Sequence, residues 1–205
     1  MQDAKVGNKW PESQVPAAMF ESLRELNHHF LDLIGISLLD WNASNRAGLP
    51  REMCERIAPL SEVQRRAAAD CPYALFDLRF ADESFWCARL QGAGPWCVSE
   101  AASVDSHTSF ARLALFFAWH VAANGKLAAQ LLLGMSEATI AAFRGVTIGS
   151  LSALAATEAP LLTARWSGCP AFWRALTRAA ARQNLAALRR VQLCGLQLAA
   201  AARLA

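Results

Sequence analysis

Gly48-Leu49-Pro50-Arg51-Glu52-Met53 and, further along, Gly134-Met135-Ser136-Glu137-Ala138-Thr139 open the same order of events in two parts of the chain, and their reading decides the fold. The glycines lie 86 residues apart (134 − 48). At that offset Leu49 pairs with Met135, Ile57 with Phe143, Leu60 with Val146 and Ala67 with Ala153. Leu75-Phe76 pairs with Leu161-Leu162, Arg79-Phe80 with Arg165-Trp166, and Leu90 with Leu176. Phe85-Trp86 recurs as Phe172-Trp173, one residue out of step. Apolar matches alone carry little weight in a chain that is 54% hydrophobic. The paired glycines, the Arg-aromatic pairs and the coincident capping positions carry the argument for an internal repeat.

Working outward from Gly48, the apolar residues Phe20, Leu23, Leu26, Phe30, Leu33, Ile34 and Leu38 fall at helical spacing and predict a long helix from Met19 to about Trp41. Pro50 suits the first turn of a short helix over 50–57, and Pro59 ends it. Ser61 can accept a free backbone N–H and start another over 62–69. The segment Tyr73–Phe80 alternates loosely and reads as extended or helical. Residues 91–108 hold Gly92, Gly94 and Pro95 without helical periodicity and are the linker candidate. Beyond it the spacing predicts a second long helix over 109–133 and short helices over 137–143 and 148–157. Leu161–Trp166 is again ambiguous, and an Ala-rich, Arg-studded helix is predicted over 170–205. The expected organisation is therefore all-α. It has a flexible leader (1–18), one helical module (19–90), the linker, a second module (109–180) and a C-terminal helix (181–205).

Composition sets limits on function. Of 205 residues, 18% are charged, below the roughly 25% of an average soluble domain, so burial against a partner or a second copy is expected. A net charge of +3 and a pI near 8.6 neither exclude DNA contact nor argue for it. The six cysteines, Cys54, Cys71, Cys87, Cys97, Cys169 and Cys194, form no Cys-x-x-Cys knuckle and sit among apolar neighbours. They read as reduced core residues of a cytoplasmic protein. The polar first 16 residues lack the apolar core of a signal peptide, and the apolar run from Leu113 is broken by His120, Asn124 and Lys126 before it reaches the length of a membrane span. Five of the seven tryptophans, Trp41, Trp86, Trp119, Trp166 and Trp173, lie among apolar residues and are expected in the core or at an interface, while Trp10 and Trp96 fall in loop-like sequence.

The pattern has a family look. Leu26-Asn27 stands in the first long helix. After it come Ala47-Gly48-Leu49-Pro50-Arg51-Glu52-Met53, Leu60-Ser61-Glu62 and Leu75-Phe76-Asp77-Leu78-Arg79-Phe80. Leu133-Gly134-Met135-Ser136-Glu137, Val146-Thr147 and Leu161-Leu162-Thr163-Ala164-Arg165-Trp166 follow the same outline. This resembles the FlhD family, the small subunit of the bacterial flagellar master activator, here as a tandem duplication. The resemblance implies helical modules paired as a pseudo-dimer within one chain. It also implies a role in transcription together with a protein partner such as an FlhC-like subunit. Family members are shorter, single-module chains, so in this chain the two surfaces of the pair need not be equivalent. The FlhC-type cysteine cluster is absent, so the chain does not resemble that subunit.

Few constellations here could carry chemistry. His28 and Asp32 are at i and i+4 and could share a metal, but nothing in the sequence completes the site, and a polar helix face is the expectation. No nucleophile elbow, phosphate loop or dinucleotide fingerprint is present, and Gly145-Val-Thr-Ile-Gly149 lacks the Lys-Ser/Thr of a phosphate loop. The expectation is a protein that is not an enzyme, with no metal and no cofactor. The helices at 50–69 could form a helix-turn-helix in which Gln64, Arg65 and Arg66 reach DNA or a partner. The equivalent helix from Thr147 to Leu154 has no long polar side chain to do so. Arg174, Arg178 and Arg182, four apart, make one stripe on the last helix, which Arg189 and Arg190 extend; such a stripe could contact DNA phosphate or an acidic helix of a partner, and a solvated face is the default expectation. Leu176, Leu185, Leu188 and Leu196 of that helix are expected to pack on the bundle or on a partner. The leading expectation is a regulatory protein that acts by protein assembly, in control of flagellar or secretion genes. The alternative is a structural or chaperone-like component of a secretion system with no DNA role.

Overall fold

In the computed structural model, residues 15–37, 47–91 and 105–202 are described. Trp10, Trp41, Trp96, Cys97, most of the expected leader and most of the expected linker lie outside them. The described residues form ten α-helices and two very short strands, an all-α fold. In chain order these are α1 (Ala17–Ser37), α2 (Arg51–Ile57), α3 (Glu62–Ala69), β1 (Phe76–Asp77) and α4 (Glu83–Gln91). There follow α5 (Ser106–Asn124), α6 (Lys126–Leu133), α7 (Glu137–Arg144), α8 (Ile148–Glu158), β2 (Thr163–Ala164), α9 (Pro170–Ala181) and α10 (Leu185–Ala201).

Local chemistry explains the starts. Ser61 makes a capping box with Gln64: its hydroxyl accepts from Gln64 N–H, and the Gln64 amide oxygen accepts from Ser61 N–H at 2.8 Å. Ser136 caps α7 and Thr147 caps α8 in the expected way. Gly48 and Gly134 both have φ near +70° (65° and 73°), a region that glycine enters without steric cost. At Gly134 a β-carbon would also lie 2.6 Å from an Arg165 guanidinium nitrogen, so that side chain would have to shift.

Three expectations are corrected. The second long helix is two helices, because Gly125 adopts an extended backbone (φ −173°) between α5 and α6. The last helix is also two. Gln183 takes a left-handed conformation (φ 50°), and the Asn184 side chain accepts from Ala187 N–H to start α10 afresh. The linker candidate over 91–108 overreaches, since Gln91 closes α4 and Ser106–Thr108 already belong to α5, capped by Asp105. Helix α4 itself carries too little apolar periodicity to be read from sequence. The Asp82 carboxylate accepts from Phe85 N–H at its start, and Trp86 is fully buried.

The two ambiguous segments are extended for two residues each, and they pair with one another. β1 and β2 are antiparallel, with Phe76 opposite Ala164 and Asp77 opposite Thr163. Arg165 N–H donates to Leu75 O at 2.8 Å, and Ala74 N–H donates to Leu132 O at 2.8 Å. Two residues past each strand one non-glycine residue has positive φ, Arg79 (57°) and Trp166 (55°). The Trp86 indole then donates to Leu78 O, and the Trp173 indole donates to Arg165 O, both at 3.1 Å. These features recur at an offset of 87 (173 − 86), so Arg79 corresponds to Trp166 and Leu78 to Arg165. The sequence match of Arg79-Phe80 with Arg165-Trp166 is therefore out by one. The chain is one residue longer between Thr147 and Thr163 than between Ser61 and Phe76, because α8 runs into a turn of 3₁₀ helix over Ala159–Leu161.

Helices α4 and α9 pack on elements distant in the chain. α1 packs on α2 and α3, and α5 packs on α7 and α8. α4 crosses to lie on α7 of the second half, and α9 crosses to lie on α2 and α3 of the first. α1 and α5 meet directly, and Phe110 lies against both Phe30 and Phe76 (ring centroids 5.6 and 5.1 Å). One continuous core results, running from Val15 to Val191. Asn27, fully buried on α1, pins its own half: its amide donates to Ala69 O and Tyr73 O, and its oxygen accepts from Leu75 N–H at 2.8 Å. α10 packs on α9 and over Tyr73, where Gly195 permits the approach.

Candidate partner-binding surface

The residues proposed to reach DNA or a partner from α3 are largely engaged inside the protein. The Gln64 amide donates to Ala181 O at 2.9 Å and so satisfies the exposed C-terminal end of α9. Arg65 is held between α3 and α1: its Nε lies 2.7 Å from an Asp32 oxygen, and Nη1 donates to Leu60 O. Arg66 is exposed and paired with Glu62 one turn back, at 2.6 Å. A helix whose long polar side chains close intramolecular bonds offers a groove reader one residue, Arg66, and that one already neutralised.

The helices α1 and α3 flank an open cleft of 530 Å³ lined by Arg24, His28, His29, Arg66 and Asp70 among others. Arg24 and Asp70 face each other across it at 2.9 Å. His28 Nδ1 is 3.3 Å from Asp32, whose other oxygen takes Arg65. Among the described residues no group of three or more His, Cys, Asp or Glu side chains is placed to hold a metal ion.

Cys54, Cys71 and Tyr73 are sealed in, whereas Cys87 and Cys169 are partly exposed and Cys194 is exposed on α10, against the expectation of core cysteines. Burial pushes the Cys71 thiol up to about 12, and its sulfur donates to Ala68 O. Burial likewise raises Cys54 and Tyr73. The Asp77 carboxyl is raised by burial, against the N–H bonds it accepts from Phe80 and its neighbours and the nearby charge of Arg165. None of these groups lines the α1–α3 cleft.

The arginine stripe behaves differently. Arg178 and Arg182 are exposed and Arg174 is half-buried. Arg189 and Arg190 are exposed on α10. None of the five makes an ion pair among the described residues; Arg190 makes one weak bond to Ala186 O at 3.4 Å. The leucines expected to pack divide between two environments. Leu176 and Leu188 are buried, whereas Leu185 and Leu196 are exposed together with Leu193. The helix break at Gln183 is the cause, because it restarts the periodicity and turns these positions outward. Sequence reasoning passed over Leu193, and its signal was the 185–193–196 spacing once Asn184 is taken as a cap.

Among the described residues no single helix is long and apolar enough to cross a membrane. Compared with family models, curated proteins and solved structures, the chain matches none.

Proposed function

We propose that this chain is a non-catalytic, FlhD-like regulatory protein. In this reading it is two similar helical modules fused into a single-chain pseudo-dimer, and it works by assembling with a protein partner in control of flagellar or secretion genes. The observation that carries the reading is the arrangement around β1 and β2. Each strand is followed by a positive-φ residue and by a tryptophan bonded to the carbonyl eight residues before it, and each terminal helix lies on the other half. Reciprocal exchange of equivalent elements is how two copies of one module become a dimer, and a duplication keeps it within one chain. Among the described residues, the buried Cys54 and Cys71 and the ion-paired cleft offer no set of nucleophile, base and orienting group, which supports a non-catalytic reading. The engagement of Gln64 and Arg65 favours protein binding over autonomous DNA reading.

The test is crosslinking in the native cells, affinity purification of the tagged chain, and reconstitution with whatever protein co-purifies in stoichiometric amount. A defined complex supports the reading. A chain that purifies alone under crosslinking, or that binds one DNA sequence tightly by itself, overturns it.

A further inference from the structure

We propose that the α9–α10 hairpin is the docking surface, and that its occupant is an acidic amphipathic helix of a protein partner; this rests on the protein-assembly reading above. The first observation is charge segregation. All 17 acidic residues lie at or before Glu158, and the rest of the chain holds seven arginines and no acid: Arg165, Arg174, Arg178, Arg182, Arg189, Arg190 and Arg203. The residues up to Glu158 hold the other 13 bases (20 − 7) and all 17 acids, so the two parts of the chain carry opposite net charge. Several of those acids are tied to bases of the same segment: Glu52 with Arg56, Glu55 with Arg51, Glu62 with Arg66, Asp70 with Arg24, Asp32 with Arg65, and Glu158 with Arg89. Four arginines on α9, α10 and the turn between them, Arg178, Arg182, Arg189 and Arg190, are exposed and have no carboxylate partner among the described residues.

The second observation is apolar. On the outer side of α10, Leu185 is 69% exposed, Leu193 61% and Leu196 36%. The inner side, with Leu188, Val191 and Gly195, is committed to the body of the protein. On a helical projection Arg189 falls between Leu185 and Leu193, so charge and leucine share one face.

That mixture selects the occupant. A nucleic-acid backbone would satisfy the guanidinium groups but leave three leucines against phosphate and water. A lipid surface would take leucine and arginine, but such helices normally also carry Trp or Phe, and α10 has no aromatic residue. An acidic amphipathic helix satisfies both, with its apolar row on the leucines and its carboxylates on forked, bidentate guanidinium donors.

The experiment uses the full chain and fluorescence anisotropy at about 0.15 M salt. The probe is a labelled peptide of about 18 residues with Leu at i, i+3, i+4 and i+7 and Glu on its flanks. Its scrambled version, a DNA duplex and phosphatidylserine-containing vesicles are competitors. The expected result is saturable binding of the amphipathic peptide alone. That binding should weaken about ten-fold or more in the R178E/R182E/R189E/R190E variant and in its Arg→Gln counterpart. Leu193→Ser should weaken it independently of salt. Equal binding by the scrambled peptide or the charge variants, or preferential binding of duplex or vesicles, overturns the proposal. If a native partner is captured but crosslinks elsewhere, and the charge variants bind it normally, this surface is wrong and the assembly reading stands. If no protein partner is captured, the assembly reading itself has failed.

Discussion

The phenol of Tyr73 lies so close over Gly195 that a β-carbon there would sit 2.0 Å from the phenolic oxygen. Tyr73 is fully buried and its hydroxyl donates to Val191 O on the same helix, so the ring has nowhere to retreat. Two effects compete in Gly195→Ala. Alanine favours a helix interior by about 1 kcal/mol over glycine. Overpacking a closed contact costs about 1–3 kcal/mol, and a 2.0 Å approach belongs at the upper end. The expected outcome is net destabilisation, localised to α10, read as faster amide exchange in 185–201 with the rest of the protein little changed. A variant as stable as the parent would show that α10 is not seated on Tyr73.

Trp86 and Trp173 make the same bond on opposite halves. Replacing either by Phe removes a donor from a buried carbonyl, an orphan that costs about 1–3 kcal/mol, and leaves a small cavity besides. Because α4 rests on α7, and α9 rests on α2 and α3, each loss is felt across both halves. Urea unfolding of Trp86→Phe and of Trp173→Phe should each remain a single transition, shifted by about 2 kcal/mol. A two-step transition in which one half survives would contradict the interlocked core.

What the sequence could and could not reveal follows from how local each cause is. The caps at Ser61, Ser136 and Thr147 and the turns at Gly48 and Gly134 are decided within a few residues, and they were readable. The class of Tyr73–Phe80 was not, because its two extended residues exist by pairing with a segment 87 residues away. Gly125 and Gln183 interrupt apolar or Ala-rich runs that continue on both sides, so periodicity alone ran through them. The candidate site shows the same divide. The Arg174–Arg178–Arg182 stripe lies on a single helix and was visible. The engagement of Gln64 by Ala181 O and of Arg65 by Asp32 depends on partners far off in the chain.

Asp77 gives a pH signature. Burial raises its carboxyl above the usual range, so the folded protein favours the neutral form. A group whose folded pKa lies above the unfolded one contributes stability below the unfolded value and loses it as pH rises through the folded value. Asp77→Asn keeps a carbonyl to accept from Phe80 N–H and does not titrate. The variant and the parent should therefore have similar stability near pH 3, and the variant should be the more stable at neutral pH. Urea midpoints at the two pH values test this. A variant less stable at neutral pH would mean that the ionised carboxylate, with Arg165 nearby, is the favoured form.

Cysteine labelling ties the seat of α10 to a chemical readout. The thiolate is the reactive species, and with Cys71 pushed up to about 12 its thiolate fraction at pH 8 is about one in ten thousand. Cys71 is also buried and interacts with Tyr73, the residue α10 covers. Cys194 is exposed on α10 itself. Iodoacetamide followed by peptide mass spectrometry should modify Cys194 readily, and Cys71 only through opening of the fold. When opening and closing are fast relative to alkylation, the Cys71 rate follows the open population. Gly195→Ala should then accelerate Cys71 by the factor that α10 undocking supplies, about ten-fold for each 1.4 kcal/mol of lost docking. Cys194, already exposed, should change little. Equal labelling of Cys71 and Cys194 in the parent protein would refute the burial of Cys71. An unchanged Cys71 rate in Gly195→Ala would separate that burial from α10 and assign it to α3 and the loop before β1.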